Sequence, residues 1–169
     1  NFKSKSGKLP IFVKGTNNPK PIKFYENKGS AQCKSSIMLA ALNTKGNTII
    51  KAKKSRDHTE LFFKYLDLPI KIKKNKKYDL INIKGKKNIK PFNYKIPSDI
   101  SSSAFFIVLT ALSQNSKLQI KDVNVNPTRS GILKILKLMG INIQLKNKRD
   151  YKGEKIADIF IKSIKKLKP

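Results

Sequence analysis

Pro97-Ser98-Asp99-Ile100-Ser101-Ser102-Ser103-Ala104-Phe105-Phe106 marks the point at which this sequence starts over. It reads as a crossover followed by a capped helix, Ile100–Leu112. Beyond it lie a strand at Lys117–Val123, a helix at Pro127–Met139 and strands at Ile141–Leu145 and Ala157–Lys162. The Pro127 helix carries clear punctuation: Asn126 as cap, Pro127 at the first helical position and Gly140 past its end. Its inward stripe is Ile132, Ile135, Leu136 and Met139.

The same order of elements precedes Pro97. A helix opens at Gly29–Ser30 and runs over Ala31–Leu42, apolar around much of its circumference and so expected to be buried. Lys45-Gly46-Asn47 ends it, and Thr48–Ala52 reads as a strand. Ser55 opens a second helix, with Asp57 and Glu60 in its first turn and Leu61, Phe62, Tyr65 and Leu66 on its apolar face. Strands follow at Ile70–Lys73 and Tyr78–Ile83, then a basic loop at Lys84–Lys90 and a short strand at Phe92–Ile96. Leu9–Lys14 and Pro21–Tyr25 are β-type runs upstream, split by turn residues. Ala41-Leu42 matches Ala111-Leu112 and Ile50-Lys51 matches Ile120-Lys121, at an offset of about 70. Arg56, Leu66 and Ile70 match Arg129, Met139 and Ile143 at about 73. This period is far too long for a solenoid, so it implies duplicated subdomains. The expected fold class is α+β or α/β, divided into 1–96 and 97–169.

With 169 residues the chain can bury a real core, and its apolar residues fall in blocks despite a hydrophobic fraction of 38%. No apolar run approaches the length of a membrane span, and one Cys excludes an internal disulfide framework. No basic–apolar–small-residue leader pattern is visible. The chain begins with Asn1, as a fragment or a processed product would. The net charge of +28 fits a polyanion-binding surface. A/T-biased codon usage is the preferred reading of it, since Lys, Ile and Asn make up 72 of the 169 residues and only Arg56, Arg129 and Arg149 are Arg. In either case the charge speeds encounter with anions.

Two helix starts are the candidate anion sites, because such ends offer unpaired N–H groups and a positive dipole. Gly29-Ser30-Ala31-Gln32-Cys33-Lys34-Ser35 is one; plain helix capping is the competing reading, and Cys33 reads as a small buried hydrophobe. Ser55-Arg56-Asp57-His58-Thr59-Glu60 is the other, with Arg56 beside the helix end. Here the competing reading makes Asp57 and Glu60 dipole partners and His58 a surface side chain. Asp57 and His58 diverge on a helix, which argues against a hydrolytic triad, and one His with scattered acids argues against a metal site. Capping accounts for Asn124-Val125-Asn126-Pro127-Thr128-Arg129-Ser130-Gly131.

In order and spacing, Ser-Ala-Gln-x-Lys-Ser, Ser-Arg-Asp-His-Thr-Glu, Pro-x-Asp-x-Ser-Ser-x-Ala-Phe-Phe and Asn-Pro-Thr-Arg-x-Gly together resemble the 3-phosphoshikimate 1-carboxyvinyltransferase (EPSP synthase) family, over nearly the whole chain. The related enolpyruvyl transferases of peptidoglycan synthesis share the fold but not the second and fourth signatures. The resemblance implies repeated βαβαββ subdomains in an inside-out, barrel-like arrangement, incomplete here. On it, 1–96 ends the first domain and 97–169 begins the second. It implies transfer of the enolpyruvyl group of phosphoenolpyruvate to the 5-hydroxyl of shikimate 3-phosphate by addition and elimination, with release of phosphate and no cofactor or metal. Ser30, Ala31 and Gln32 would bind shikimate 3-phosphate, Gln32 also touching phosphoenolpyruvate, and Ser55 or Arg56 would hold the same sugar-like substrate. The expected whole protein is a cytoplasmic monomer without membrane or specific nucleic-acid partners. The N-terminal Lys-Ser segment and the Gly-rich loop of the family are missing. So is the proton-accepting Asp, which lies beyond Pro169, with the later phosphoenolpyruvate clamps. The 169 residues are therefore expected to be inactive alone. The alternative reading is a basic nucleic-acid-binding module.

Overall fold

The computed structural model describes residues 2–4, 6–85 and 88–164. They pack as two units. The first takes in the chain up to Lys54 and again from Pro69 to Asn88; the second takes in Ser55–Leu68 and everything from Ile89 onward. The helix between Ser55 and Leu68 packs with residues that follow it by about ninety positions.

In the first unit, β1 (Phe2–Ser4) pairs antiparallel with β2 (Ile11–Val13). A four-stranded sheet has β3 (Lys23–Glu26), β4 (Asn47–Lys53), β5 (Ile70–Lys74) and β6 (Tyr78–Lys84) in the order β3-β4-β6-β5. β3 is parallel to β4; the other pairs are antiparallel. The helix α1 (Ala31–Leu42) connects β3 to β4 and packs on β4 and β6. Period-2 alternation puts Thr48, Ile50 and Ala52 of β4 and Ile81 and Ile83 of β6 inward, with Ile50 directly opposite Ile81. Against them α1 presents Lys34, Met38 and Ala41, one stripe at helical spacing. The rest of the helix is more open than its apolar sequence implies: Leu39 is 56% exposed, and Cys33 is exposed rather than buried.

In the second unit, α2 (His58–Tyr65), α3 (Ile100–Leu112) and α4 (Gly131–Leu138) accompany β7 (Lys117–Asn124), β8 (Ile143–Tyr151) and β9 (Glu154–Lys162). The sheet order is β7-β9-β8, all antiparallel, and α3 lies on β7 and β9. This repeats the order β4-β6-β5, and α1 answers to α3. Where the first unit has β3, the second has one parallel bridge, Ser98 to Val123. The core combines Ile100, Ile107 and Ala111 of α3 with Leu133 and Leu136 of α4 and Ile159 and Ile161 of the central strand. The opposite side of α3 leaves Phe105, Phe106, Leu109 and Leu112 exposed. Asp158 of β9 is buried beneath two bulges: it accepts from Asp122 N in β7 and Asn147 Nδ2 in β8, and both of those residues have positive φ.

Several expected elements end elsewhere. The second helix begins at His58, so Ser55 and Arg56 lie in the strand-to-helix connection. The fourth begins at Gly131 because Asn126 closes a separate turn: its carbonyl accepts from Arg129 N and Ser130 N, and its side chain accepts from Thr128 N. Phe92–Ile96 forms no strand. The rings of Phe92 and Tyr94 pack on Phe62 at 5.4 and 5.2 Å, and Tyr151 Oη takes the Lys95 N–H, so side chains rather than a ladder hold the segment. β8 continues to Tyr151 and meets β9 in a two-residue turn, Lys152-Gly153, both at positive φ. In the expected basic loop, residues 86 and 87 lie outside the described residues.

Gly85 gives a sharp test of the first unit. Its N–H donates to Gly46 O at 3.1 Å, and a Cβ there would lie 2.0 Å from Thr44 O and 2.2 Å from Ala41 O, both backbone. Gly85→Ala is expected to destabilise the full-length protein by about 1–3 kcal/mol in urea unfolding. Gly15→Ala, with nothing within 4 Å, should stay within about 0.5 kcal/mol of the parent.

Candidate functional site

The Ser30 segment is built on a buried carboxylate. Glu26, at the end of β3, accepts from Lys28 N at 2.9 Å and Gly29 N at 2.8 Å, folding the connection around itself. Burial opposes ionisation of Glu26. The N–H groups of Ser30, Lys28 and Gly29 and the charge of Lys34 overcome it and hold the carboxyl below the usual range. Gly29 has φ +75°, a conformation that favours glycine, and turns the chain into the helix. Ser30 then caps α1, its Oγ accepting from Cys33 N at 3.2 Å. The capping reading of Ser30 is thus correct, and the cap is partial: the N–H groups of Ala31 and Gln32 have no acceptor among the described residues, and the Gln32 side chain is exposed.

The Ser55–Glu60 segment belongs to the second unit. The Ser55 hydroxyl is enclosed without a hydrogen-bond partner among the described residues, an arrangement that costs about 1–3 kcal/mol. Arg56 is half-buried beside it. Asp57 precedes α2 but forms no side-chain cap. Its Oδ1 accepts instead from Asn126 Nδ2 at 2.9 Å and Thr128 Oγ1 at 3.3 Å. His58 is no free surface side chain: its Nδ1 donates to Glu154 Oε1 at 2.5 Å, while its enclosed Nε2 has no partner among the described residues. Asn126 Nδ2 also reaches Glu154 Oε2 at 3.3 Å. Burial alone would raise the Glu154 carboxyl, but hydrogen bonds from His58, Asn124 and Asn126 and the charge of His58 hold it below the usual carboxylate range.

The crossover motif joins the same cluster. Asp99 caps α3, accepting from Ser102 N and Oγ at 3.1 Å. Arg129 Nη2 stands 2.7 Å from Asp99 Oδ1 and directs its hydrogen bond to Ser101 Oγ at 3.0 Å. Burial opposes ionisation of Asp99; the N–H groups of Ser102 and Ser101, the Ser102 hydroxyl and Arg129 overcome it and lower its pKa. Thus three of the four sequence signatures are physically linked: Ser55–Glu60 to Asn124–Gly131 through Asp57–Asn126, and Asn124–Gly131 to Pro97–Phe106 through Arg129–Asp99. Sequence reasoning missed Glu154, and its one available signal was the Lys152-Gly153-Glu154 hairpin turn.

Among solved structures, the enolpyruvyl transferase NikO from Streptomyces tendae matches over 91% of this chain with a TM-score of 0.63 at 15% identity, which shows the enolpyruvyl transferase fold. EPSP synthase from Acinetobacter baumannii matches over 96% of this chain, with a TM-score of 0.78 and 34% identity. The curated 3-phosphoshikimate 1-carboxyvinyltransferases of Petrotoga mobilis and Vesicomyosocius okutanii are 41% and 44% identical across 96% of it. The family model for EPSP synthase (3-phosphoshikimate 1-carboxyvinyltransferase) matches residues 1–168, and the chain belongs to that family. It spans 37% of the length of these curated relatives and of the Acinetobacter structure. The nucleic-acid-binding reading gains no support from them. Among the described residues no helix is long and apolar enough to cross a membrane.

Because Glu154 and Asp99 are held below their unfolded pKa values, their ionised contacts stabilise the fold fully above about pH 4.3, and this stability is lost as pH falls through the lowered values. Glu154→Gln should therefore lower stability at pH 7 and flatten its fall between about pH 5 and pH 3. Urea unfolding of the full-length protein across that range measures both.

Proposed function

We propose that the whole protein to which these residues belong transfers the enolpyruvyl group of phosphoenolpyruvate to the 5-hydroxyl of shikimate 3-phosphate, releasing phosphate, in the shikimate pathway to aromatic amino acids. The observation that carries this reading is identity of 41–44% to relatives bearing that enzyme's name across 96% of the chain. Residues 1–96 then close the first domain of a cytoplasmic, monomeric enzyme, and residues 97–169 open the second. Ser30, Ala31 and Gln32 bind shikimate 3-phosphate, Gln32 also meets phosphoenolpyruvate, and Ser55 or Arg56 supplies a further contact to the phosphorylated substrate. The unmatched N–H groups of Ala31 and Gln32 and the unmatched Ser55 hydroxyl support those assignments, since each lacks a partner that a ligand oxygen would provide. What such groups contribute is placement: two anions fixed side by side lose the entropy of encounter before the addition step.

Phosphate release with both substrates tests the activity. The full-length protein should turn over, and these residues alone should not; full-length protein without activity overturns the reading.

The site assignment is tested by calorimetric titration of the full-length protein with shikimate 3-phosphate. Arg56→Ala should weaken binding by about 10- to 150-fold, the equivalent of losing one charged hydrogen bond of about 1.5–3 kcal/mol. Ser30→Ala should lose binding and about 1 kcal/mol of stability, because a cap goes with the ligand contact. Gln32→Ala should harm binding while leaving the unfolding midpoint unchanged. Variants at Gln32 and Arg56 that both bind like the parent would overturn the assignment and leave capping as the whole account of these helix starts.

A further inference from the structure

We infer that Glu154 is a positioning residue for Arg56, an inference that rests on the proposed role of Arg56 in holding the phosphorylated substrate. Arg56 lies in the connection before α2, one residue ahead of the first carbonyl to accept a helical hydrogen bond, Asp57 O from Leu61 N. The two residues that follow it are gripped by their side chains. Asp57 is held by Asn126 and Thr128, and His58 by Glu154 at 2.5 Å. Asn126 Nδ2 links the two grips, contacting both carboxylates at 2.9 and 3.3 Å. The Cα of Arg56 is therefore one and two residues from two anchored side chains, so a change at either anchor is passed to it over a short stretch of backbone.

Glu154 is suited to this because its own backbone is fixed. It pairs with Tyr151 across the Lys152-Gly153 turn. That turn is pressed onto α2: a Cβ at Gly153 would lie 3.1 Å from Leu61 O, and the Lys152 ammonium stands 5.6 Å from the Tyr65 ring. The hairpin tip thus touches α2 at His58, Leu61 and Tyr65, one face over two turns. The carboxylate also fixes the ring of His58, whose Nε2 is left without a partner among the described residues.

The experiment uses full-length protein and three readings. Shikimate 3-phosphate affinity of Glu154→Gln should fall about 10-fold, as expected when a binding group is misplaced rather than removed. In an Arg56→Ala background the same substitution should change affinity less than about 2-fold, because the positioned group is gone. Amide exchange of Ser55–His58 should quicken in Glu154→Gln. Asp57→Asn, which weakens the other grip, gives the same three readings if Glu154→Gln folds poorly. Parent-like affinity overturns the inference, as does equal weakening with and without Arg56, or lost affinity with unchanged exchange at Ser55–His58. If Arg56→Ala itself binds like the parent, the assignment of Arg56 as ligand fails first, which is a different result.

Discussion

One amide nitrogen ties the second unit together. Asn126 Nδ2 donates to Asp57 on one side and Glu154 on the other, while the Asn126 oxygen closes its own turn by accepting from Thr128. Two carboxylates brought this near in a half-buried place repel one another, and a shared neutral donor with His58 against Glu154 makes the pair tolerable. Asn suits this position because its amide donates twice and accepts at the same time. Aspartate at this position would add a third negative charge, and Ala would leave Asp57 and Glu154 facing each other. The start of α2, the turn before α4 and the tip of the β8–β9 hairpin all meet at this atom, so their positions are set jointly rather than by their own sequences.

That dependence explains what the sequence discloses. Ile100–Leu112 is legible to the residue, since its apolar content, the capping acid and the residue after its end are all local. The repeat is legible because two sheets of the same strand order need the same spacing of apolar residues. The starts of α2 and α4 are misread: Ser55 looks like the opening of α2 and Asn126 like the cap of α4. Asp57 and the amide nitrogen of Asn126 instead bond each other from about seventy residues apart, and no local rule reports that. Glu154 is hidden for the same reason: a hairpin turn shows where the chain reverses, not what its tip touches. The exposure of Cys33 and Leu39 reflects a limit of hydrophobicity as a signal: composition says a helix has more than one apolar side but not how many sides are covered.

The excess of lysine has a structural side independent of any polyanion. Lys51 places its ammonium 4.4 Å from the Tyr78 ring centre and 5.1 Å from Tyr25, and Lys146 stands 4.7 Å over Phe160. Lys152 is within 5.6 Å of Tyr65, Tyr94 and Tyr151 and also meets the Asn93 carbonyl. Such lysines cover aromatic faces with their stems while the charge stays near water, each worth about 0.5–1 kcal/mol at exposed sites. A sequence driven towards lysine by base composition can in this way retain surface packing. The scarce acids become correspondingly valuable, and Glu26, Asp99, Glu154 and Asp158 all sit at joints of the fold.

The two corresponding helices of the repeat are held at their starts in different ways. Both α1 and α3 follow a sheet crossover and both are capped, but by different chemistry. Asp99 brings a full negative charge to the start of α3, takes the N–H groups of Ser101 and Ser102 and pairs with Arg129. That end is satisfied from within, and its dipole is already opposed by a charge of the chain itself. Ser30 brings only a neutral hydroxyl to α1 and takes one N–H, that of Cys33. The nearby Glu26 carboxylate is spent on the connecting loop, at Lys28 and Gly29, and is countered by Lys34. Ala31 and Gln32 therefore keep their N–H groups. With the same order of elements, an acid at the cap ties α3 to a neighbouring turn, whereas a hydroxyl at the cap of α1 leaves the Ala31 and Gln32 N–H groups without an acceptor among the described residues. By this logic Ser30→Asp is a change of kind: it would strengthen the cap of α1 and bring a full negative charge to the start of that helix, as Asp99 does for α3.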